Sequence, residues 1–157
     1  MSNIHNIVVA GLGGQGVLKV TDILAEAVFR AGYDVKKSEV HGMSQRGGSV
    51  SSEVRYGDEV ARPMVPAGEA DVLAVLDATQ VEVTRSVLKE GGVLITPEDL
   101  PLDKLQNPKA LNTMMLGAVS NYVKVPVETL LEALKANLPE KLHEMNVEMF
   151  NLGRNSR

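Results

Sequence analysis

The turn Gly11-Leu12-Gly13-Gly14-Gln15-Gly16 follows an apolar run over residues 6–10 and precedes a helical pattern. Glycines at this spacing, between a strand and a helix, let backbone N–H groups and the positive helix end approach an anion closely, so the chemistry on offer is phosphate capture. Two versions of that chemistry are disfavoured. A dinucleotide fold wants an acid about 20 residues further on, at the end of the second strand. Here that stretch reads Lys36-Lys37-Ser38-Glu39, with Glu39 the one acid near it. A P-loop needs Lys and a hydroxyl residue after its last glycine, and Val17-Leu18 stand there instead. A phosphate-binding turn and a tight strand-to-helix turn without ligand both stay open. Gln15 brings donors and an acceptor into the turn and reaches a phosphate, a partner-chain group or its own backbone.

His41-Gly42-Met43-Ser44-Gln45-Arg46-Gly47-Gly48 is the second stretch of interest. Its glycines let another backbone approach closely, and Arg46 offers a planar fork to a phosphate or carboxylate. Such a loop presents a cation to an anionic substrate or cofactor, with plain loop solvation as the alternative. No second metal ligand or nucleophile accompanies His41. His5, His41 and His143 fall on separate predicted elements and the chain has no Cys, so a zinc site is not expected. Asp77 stands where an acid commonly caps a helix. Met114 with Met115, and Met145 with Met149, read as core or interface filler.

These residues need a scaffold. Residues 6–10 form a strand, and Val17, Val20, Leu24, Ala27, Val28 and Ala31 mark one face of a helix that Gly32 caps. A second strand over 34–40 completes a βαβ unit expected to be right-handed. Residues 49–56 alternate, with Ser51, Glu53 and Arg55 on a face expected to be wet, which suits an antiparallel edge hairpin turning at Gly57-Asp58 and returning through 60–65. Residues 71–76 have the continuous apolar character of a central parallel strand. Asp77 and Thr79 start a helix to about Glu90, stopped by Gly91-Gly92, and 93–95 make another strand. A Pro-rich loop over 97–108 precedes helices beginning near Lys109, Pro126 and Pro139. The expectation is an α/β fold: a three-layer α/β/α sandwich with a mostly parallel sheet, an antiparallel edge hairpin and a helical C-terminal third. Ligands in such sheets lie beyond the carboxyl ends of the strands, where the glycine turn, the loop from His41 and Asp77 fall together.

Composition narrows the function. At 157 residues with 44% apolar and 23% charged side chains, one domain over 1–157 is expected. The net charge is −4, with basic residues dispersed, and aromatics are 3% with no Trp, which disfavours nucleic acid as a partner. No apolar run approaches the roughly 20 residues of a membrane span, and the start lacks secretion features, so a soluble cytoplasmic protein is expected. Without Cys the chain can neither hold a four-Cys iron–sulfur cluster nor use a thiol nucleophile. Chemistry of that kind must sit on another chain.

Together the runs IVVAGLGGQGV, SEVHGMSQRGGSVSSEVRYG, EADVLAVLD and ALNTMMLGAV resemble the 2-oxoacid:ferredoxin oxidoreductases. The likeness is to the beta subunit of the indolepyruvate enzymes and, more broadly, to the gamma subunit or domain of the pyruvate and 2-oxoglutarate enzymes. It spans residue 6 to about 153. The resemblance implies thiamine-dependent oxidative decarboxylation of a 2-oxoacid, with electrons passing through iron–sulfur clusters to ferredoxin and release of an acyl-CoA. Thiamine diphosphate and the clusters are expected on a larger partner subunit, and the resemblance implies that this chain's glycine turn faces a phosphate of coenzyme A or of thiamine diphosphate. Gly11, Gly13, Gly14, Gln15 and Gly16 match the family's glycine turn; His41, Gly42, Gln45, Arg46, Gly47 and Gly48 match its second signature. Arg46 and His41 are the catalytic candidates, and no metal ligands are expected. Residues 97–108 are shorter than the family's usual stretch there. Rival readings are a coenzyme A- or nucleotide-binding regulatory module, an NAD(P)-dependent enzyme, or a scaffold that covers a partner.

Overall fold

The apolar run after Asn6 forms β1 (His5–Leu12), buried on both sides: Ile7 and Val9 join one core, Val8 and Ala10 another. The computed structural model describes residues 4–41 and 48–156. After the glycine turn comes α1 (Val17–Arg30), whose Val17, Val20, Ile23, Leu24, Ala27 and Val28 are buried at helical spacing. It ends in a Schellman motif. The Gly32 N–H donates to the Phe29 carbonyl at 3.0 Å and the Tyr33 N–H to the Val28 carbonyl at 3.1 Å, which needs the left-handed backbone that Gly32 supplies at φ 97.

The remaining strands are β2 (Asp34–His41), β3 (Ser49–Gly57), β4 (Ala70–Val75) and β5 (Leu88–Ile95). Among the described residues they join β1 in one sheet of order β2-β3-β1-β4-β5. β1, β4 and β5 pair in parallel; β3 runs against both β1 and β2, so four of the five strands point one way. The α/β sandwich, the antiparallel edge hairpin and the helical C-terminal third agree with expectation. The hairpin, however, is built from β2 and β3.

β3 lies inside the sheet, between β1 and β2, and this reorders the local reading. With both of its edges occupied, no return strand can pair with it, and residues 60–65 cross its face as coil. The face expected to be wet is covered. Glu53 is 7% exposed, and its Oε1 accepts from Val65 N–H at 2.8 Å and Ser38 Oγ at 3.3 Å. Arg55 donates to Asn6 Oδ1 and to the Arg62 and Met64 carbonyls. On the opposite face the Thr21 and Ser52 hydroxyls meet at 2.8 Å, tying α1 to β3.

The helix expected from 79 to 90 is reduced to α2 (Val81–Thr84), flanked by 3₁₀ turns over Ala78–Gln80 and Arg85–Val87. The Gly91-Gly92 pair is no helix stop. It lies within β5, where pairing jumps from Ala70↔Leu88 to Val72↔Val93. Gly91 takes φ 80, and a Cβ on Gly92 would stand 3.0 Å from the Lys89 carbonyl oxygen and 3.1 Å from that of Ala70. The glycines therefore sit in an irregularity of the β4–β5 pairing, where β5 takes more residues than β4 to cover the same span.

After three 3₁₀ turns between Pro97 and Ala110 come α3 (Leu111–Val119), α4 (Val127–Ala136) and α5 (His143–Asn155). They cover the same face as α1, while α2 and the 60–65 coil cover the other more thinly. α3 and α5 cross on bare backbone. A Cβ on Gly117 would run into the Phe150 carbonyl, and one on Gly153 into that of Met114. Met114, Met115 and Met149 are core residues and Met145 packs at its margin. No helix among the described residues is long and apolar enough to cross a membrane.

Candidate functional site

β1 and β4 run side by side and release the chain at the same end of the sheet, which brings the glycine turn against Asp77. Gly11 is the last narrow point of β1: a Cβ there would lie 2.8 Å from Gln15 Oε1 and 3.2 Å from the Leu76 Cβ. Gly14 takes φ 90 and faces open space; Gly16 takes φ 83 and is pressed by the Asn112 side chain of α3. Those two backbone angles demand glycine. Gly13 and Gly14 are exposed, and Gly16 opens α1 with no side-chain cap and no acid in its first turn. A helix start of that kind favours an anion over a cation.

Gln15 is used at both ends. Its Oε1 accepts from Leu12 N–H at 2.7 Å, and its Nε2 donates to Asp77 Oδ2 at 3.0 Å. Asp77 caps the 3₁₀ turn after β4, where its Oδ1 accepts from Thr79 N–H at 3.0 Å and from Thr79 Oγ1 at 2.6 Å. The Thr79 hydroxyl and then its N–H stabilise the charge and hold the Asp77 carboxyl below the usual range; burial opposes them, and the Gln15 amide adds the smallest lowering effect. The polar chain continues: Gln80 Nε2 donates to Thr79 Oγ1 at 3.3 Å, and Ser49 Oγ donates to Gln80 Oε1 at 2.7 Å.

Ser49 follows Gly48, and Gly48 closes the contact with the turn, since Gly13 N–H donates to its carbonyl at 2.9 Å. Two stretches far apart in sequence thus share one rim. Of the second signature, His41 is the last residue of β2, pairing through its backbone with Val50. Gly42, Gln45, Arg46 and Gly47 lie outside the described residues. The other histidines are elsewhere: His5 stacks on Tyr56 with ring centroids 5.0 Å apart, and His143 Nε2 meets the Lys135 and Leu138 carbonyls. Asp77 has the capping role expected of it, and more. Gln80 and Asn112 carry no mark in the sequence that points to this site; for Ser49 the signal is its place beside Gly48.

A family model described as pyruvate ferredoxin/flavodoxin oxidoreductase matches residues 6–156. The chain is 34% identical to an indolepyruvate oxidoreductase subunit IorB of Thermococcus kodakarensis, covering 95% of this chain and 94% of that one. That alignment runs over 191 residues against the 157 present here, so the relative carries segments with no counterpart in this chain. The chain is also 32% identical to the pyruvate/ketoisovalerate oxidoreductases common subunit gamma of Thermococcus litoralis, over 88% of this chain and 89% of that one. Among solved structures, the keto/oxoacid ferredoxin oxidoreductase gamma subunit of Geobacter sulfurreducens superposes with a TM-score of 0.82 at 24% identity, over 98% of this chain and 96% of that one. A 2-oxoglutarate:ferredoxin oxidoreductase of Magnetococcus marinus gives a TM-score of 0.82 at 22% identity, over 98% of this chain and 31% of that one. These two structures show the shared fold.

Proposed function

The chain belongs to the pyruvate ferredoxin/flavodoxin oxidoreductase family, and from that premise we propose that it is the small, cluster-free subunit of a cytoplasmic 2-oxoacid:ferredoxin oxidoreductase of the indolepyruvate type. In this reading it serves the oxidative decarboxylation of a 2-oxoacid to an acyl-CoA with reduction of ferredoxin, and has no activity alone. Thiamine diphosphate on the larger subunit supplies the carbanion chemistry, and clusters there carry the electrons. The residues of this chain do not fit a cluster, because it has no cysteine.

They do fit an anionic group such as a phosphate of coenzyme A. The open side of Gly14 and the uncapped start of α1 would hold it, and they bring no negative charge of their own. Arg46 would meet a second anionic group. The observation that carries this reading is the Gly13 N–H to Gly48 carbonyl bond, which makes the glycine turn and the end of the second signature neighbours on one rim. A single ligand then touches both.

The test is Arg46→Ala in the complex assembled with the larger subunit. Loss of one charge-assisted contact should raise the KM for coenzyme A about tenfold or more, while the melting temperature of the small subunit stays put. Wild-type kinetics in that variant would remove Arg46 from the site. Reduction of a low-potential acceptor by the isolated chain would remove the whole reading.

A further inference from the structure

The polar chain around Asp77 has a direction. A carboxylate only accepts, so Gln15 Nε2 and Thr79 Oγ1 both donate to it. The Thr79 oxygen is then left to accept from Gln80 Nε2, and Gln80 must turn its carbonyl oxygen to the Ser49 hydroxyl. On the other side the Gln15 carbonyl oxygen is left for Leu12 N–H. Leu12 and Ser49 are themselves cross-strand partners. The relay therefore closes into a ring at the carboxyl end of the sheet, with the Gly13–Gly48 contact beside it. Gln80 is 7% exposed, which leaves its amide little freedom to turn over. A plain helix cap would need only Oδ1 and the Thr79 N–H; here the second oxygen and the Thr79 hydroxyl are engaged as well.

We propose that Asp77 is a positioning residue: through Gln15 on one side, and Thr79 and Gln80 on the other, it holds the glycine turn and the Gly48–Ser49 backbone at a fixed separation, so that both face one anionic ligand. The identity of the ligand rests on the function proposed above; the coupling rests on the hydrogen bonds alone. Neither Asp77 nor Gln80 touches the ligand in this account.

Thr79→Val tests it, because it removes the hydroxyl at nearly constant size on an exposed residue and keeps the backbone N–H that Asp77 caps. The first readout is amide hydrogen exchange at Leu12 in the full chain, on the far side of Asp77 from the substitution. The second is the KM for coenzyme A against kcat in the complex with the larger subunit. Cutting a relay that ends on a charged group should raise both the Leu12 exchange rate and the KM about tenfold with kcat held, and Thr79→Ser should restore both. A Leu12 rate equal to wild type overturns the proposal, as does a faster rate with an unchanged KM in an active complex. If the wild-type complex consumes no 2-oxoacid, the functional reading fails by itself, and the exchange rate with its rescue by Thr79→Ser still decides whether Asp77 couples the two segments.

Discussion

Replacing Gln15 by leucine removes two hydrogen bonds without adding charge. Leu12 N–H loses an acceptor at 2.7 Å and Asp77 loses a donor at 3.0 Å. A neutral bond contributes about 1 kcal/mol and one to a charged acceptor about 1.5–3 kcal/mol. Asp77 is partly open to solvent, so water takes over part of the second bond and the sum comes to about 2 kcal/mol. In a chain of this length that lowers Tm by about 4–8 °C, read by calorimetry at neutral pH. Gln15→Glu sharpens the test. It preserves shape but sets a carboxylate against Asp77, so at neutral pH it should be less stable than Gln15→Leu. The introduced acid has its folded-state pKa raised by the neighbouring charge. Its favourable contribution is therefore present below the unfolded value and lost as pH rises through the folded one. Acidification should therefore narrow the stability gap between Gln15→Glu and Gln15→Leu. A Gln15→Leu Tm within about 1 °C of wild type, or two variants with the same pH profile, would refute the assignment of Gln15 to both bonds.

Gly117→Ala should cost about 3 kcal/mol or more, because its methyl group meets the Phe150 carbonyl, which belongs to backbone and cannot rotate away; a urea midpoint near wild type would show that α5 can retreat. The alkaline limb of stability should depend on Tyr56 and Lys37. Burial pushes the Tyr56 hydroxyl up; for Lys37 burial works against the charge, but the bonds to Asp22 and Glu39 outweigh it and push the ammonium up. Both pKa values are raised, so the stability they carry is present below about pH 10 and lost above it, and Tyr56→Phe should flatten that limb in a denaturation series against pH.

Elements set by local signals are legible in the sequence. β1, the turn and α1 follow from a short apolar run, glycines that punctuate it and a helical period, all within one stretch of chain. The place of β3 could not be read that way. Its alternation of Ser51, Glu53 and Arg55 with apolar residues signals a wet face, yet coil from residues 60–66 covers that face and supplies Glu53 with the Val65 N–H. Burial of that acid depends on a partner twelve residues away, which periodicity does not register. Gly91-Gly92 misleads for a similar reason: a glycine pair after a helical pattern looks like a cap, and only the parallel partner β4 makes it an irregularity within a strand. In the site, Gln15 and Asp77 each stood out as polar residues at turns, but they lie 62 residues apart, and their bond exists because β1 and β4 are neighbours. Gln80 looked like one more helix residue until the expected helix broke up around it.

The side-chain-free crossing of α3 and α5 also settles where the last turn of helix stands. With Gly117 and Gly153 each seated on the other helix's carbonyls, α5 fits in a single register, since a slide by one turn would drive a larger residue into the gap. Arg154 is pinned accordingly: its carbonyl takes the Asn121 amide at 2.8 Å, and Asn121 borders the cleft lined by His5 and Asp71 at the amino end of the sheet. A fluorophore attached at the exposed Ser156 would therefore stand at the pole remote from Gly13, leaving the glycine turn clear.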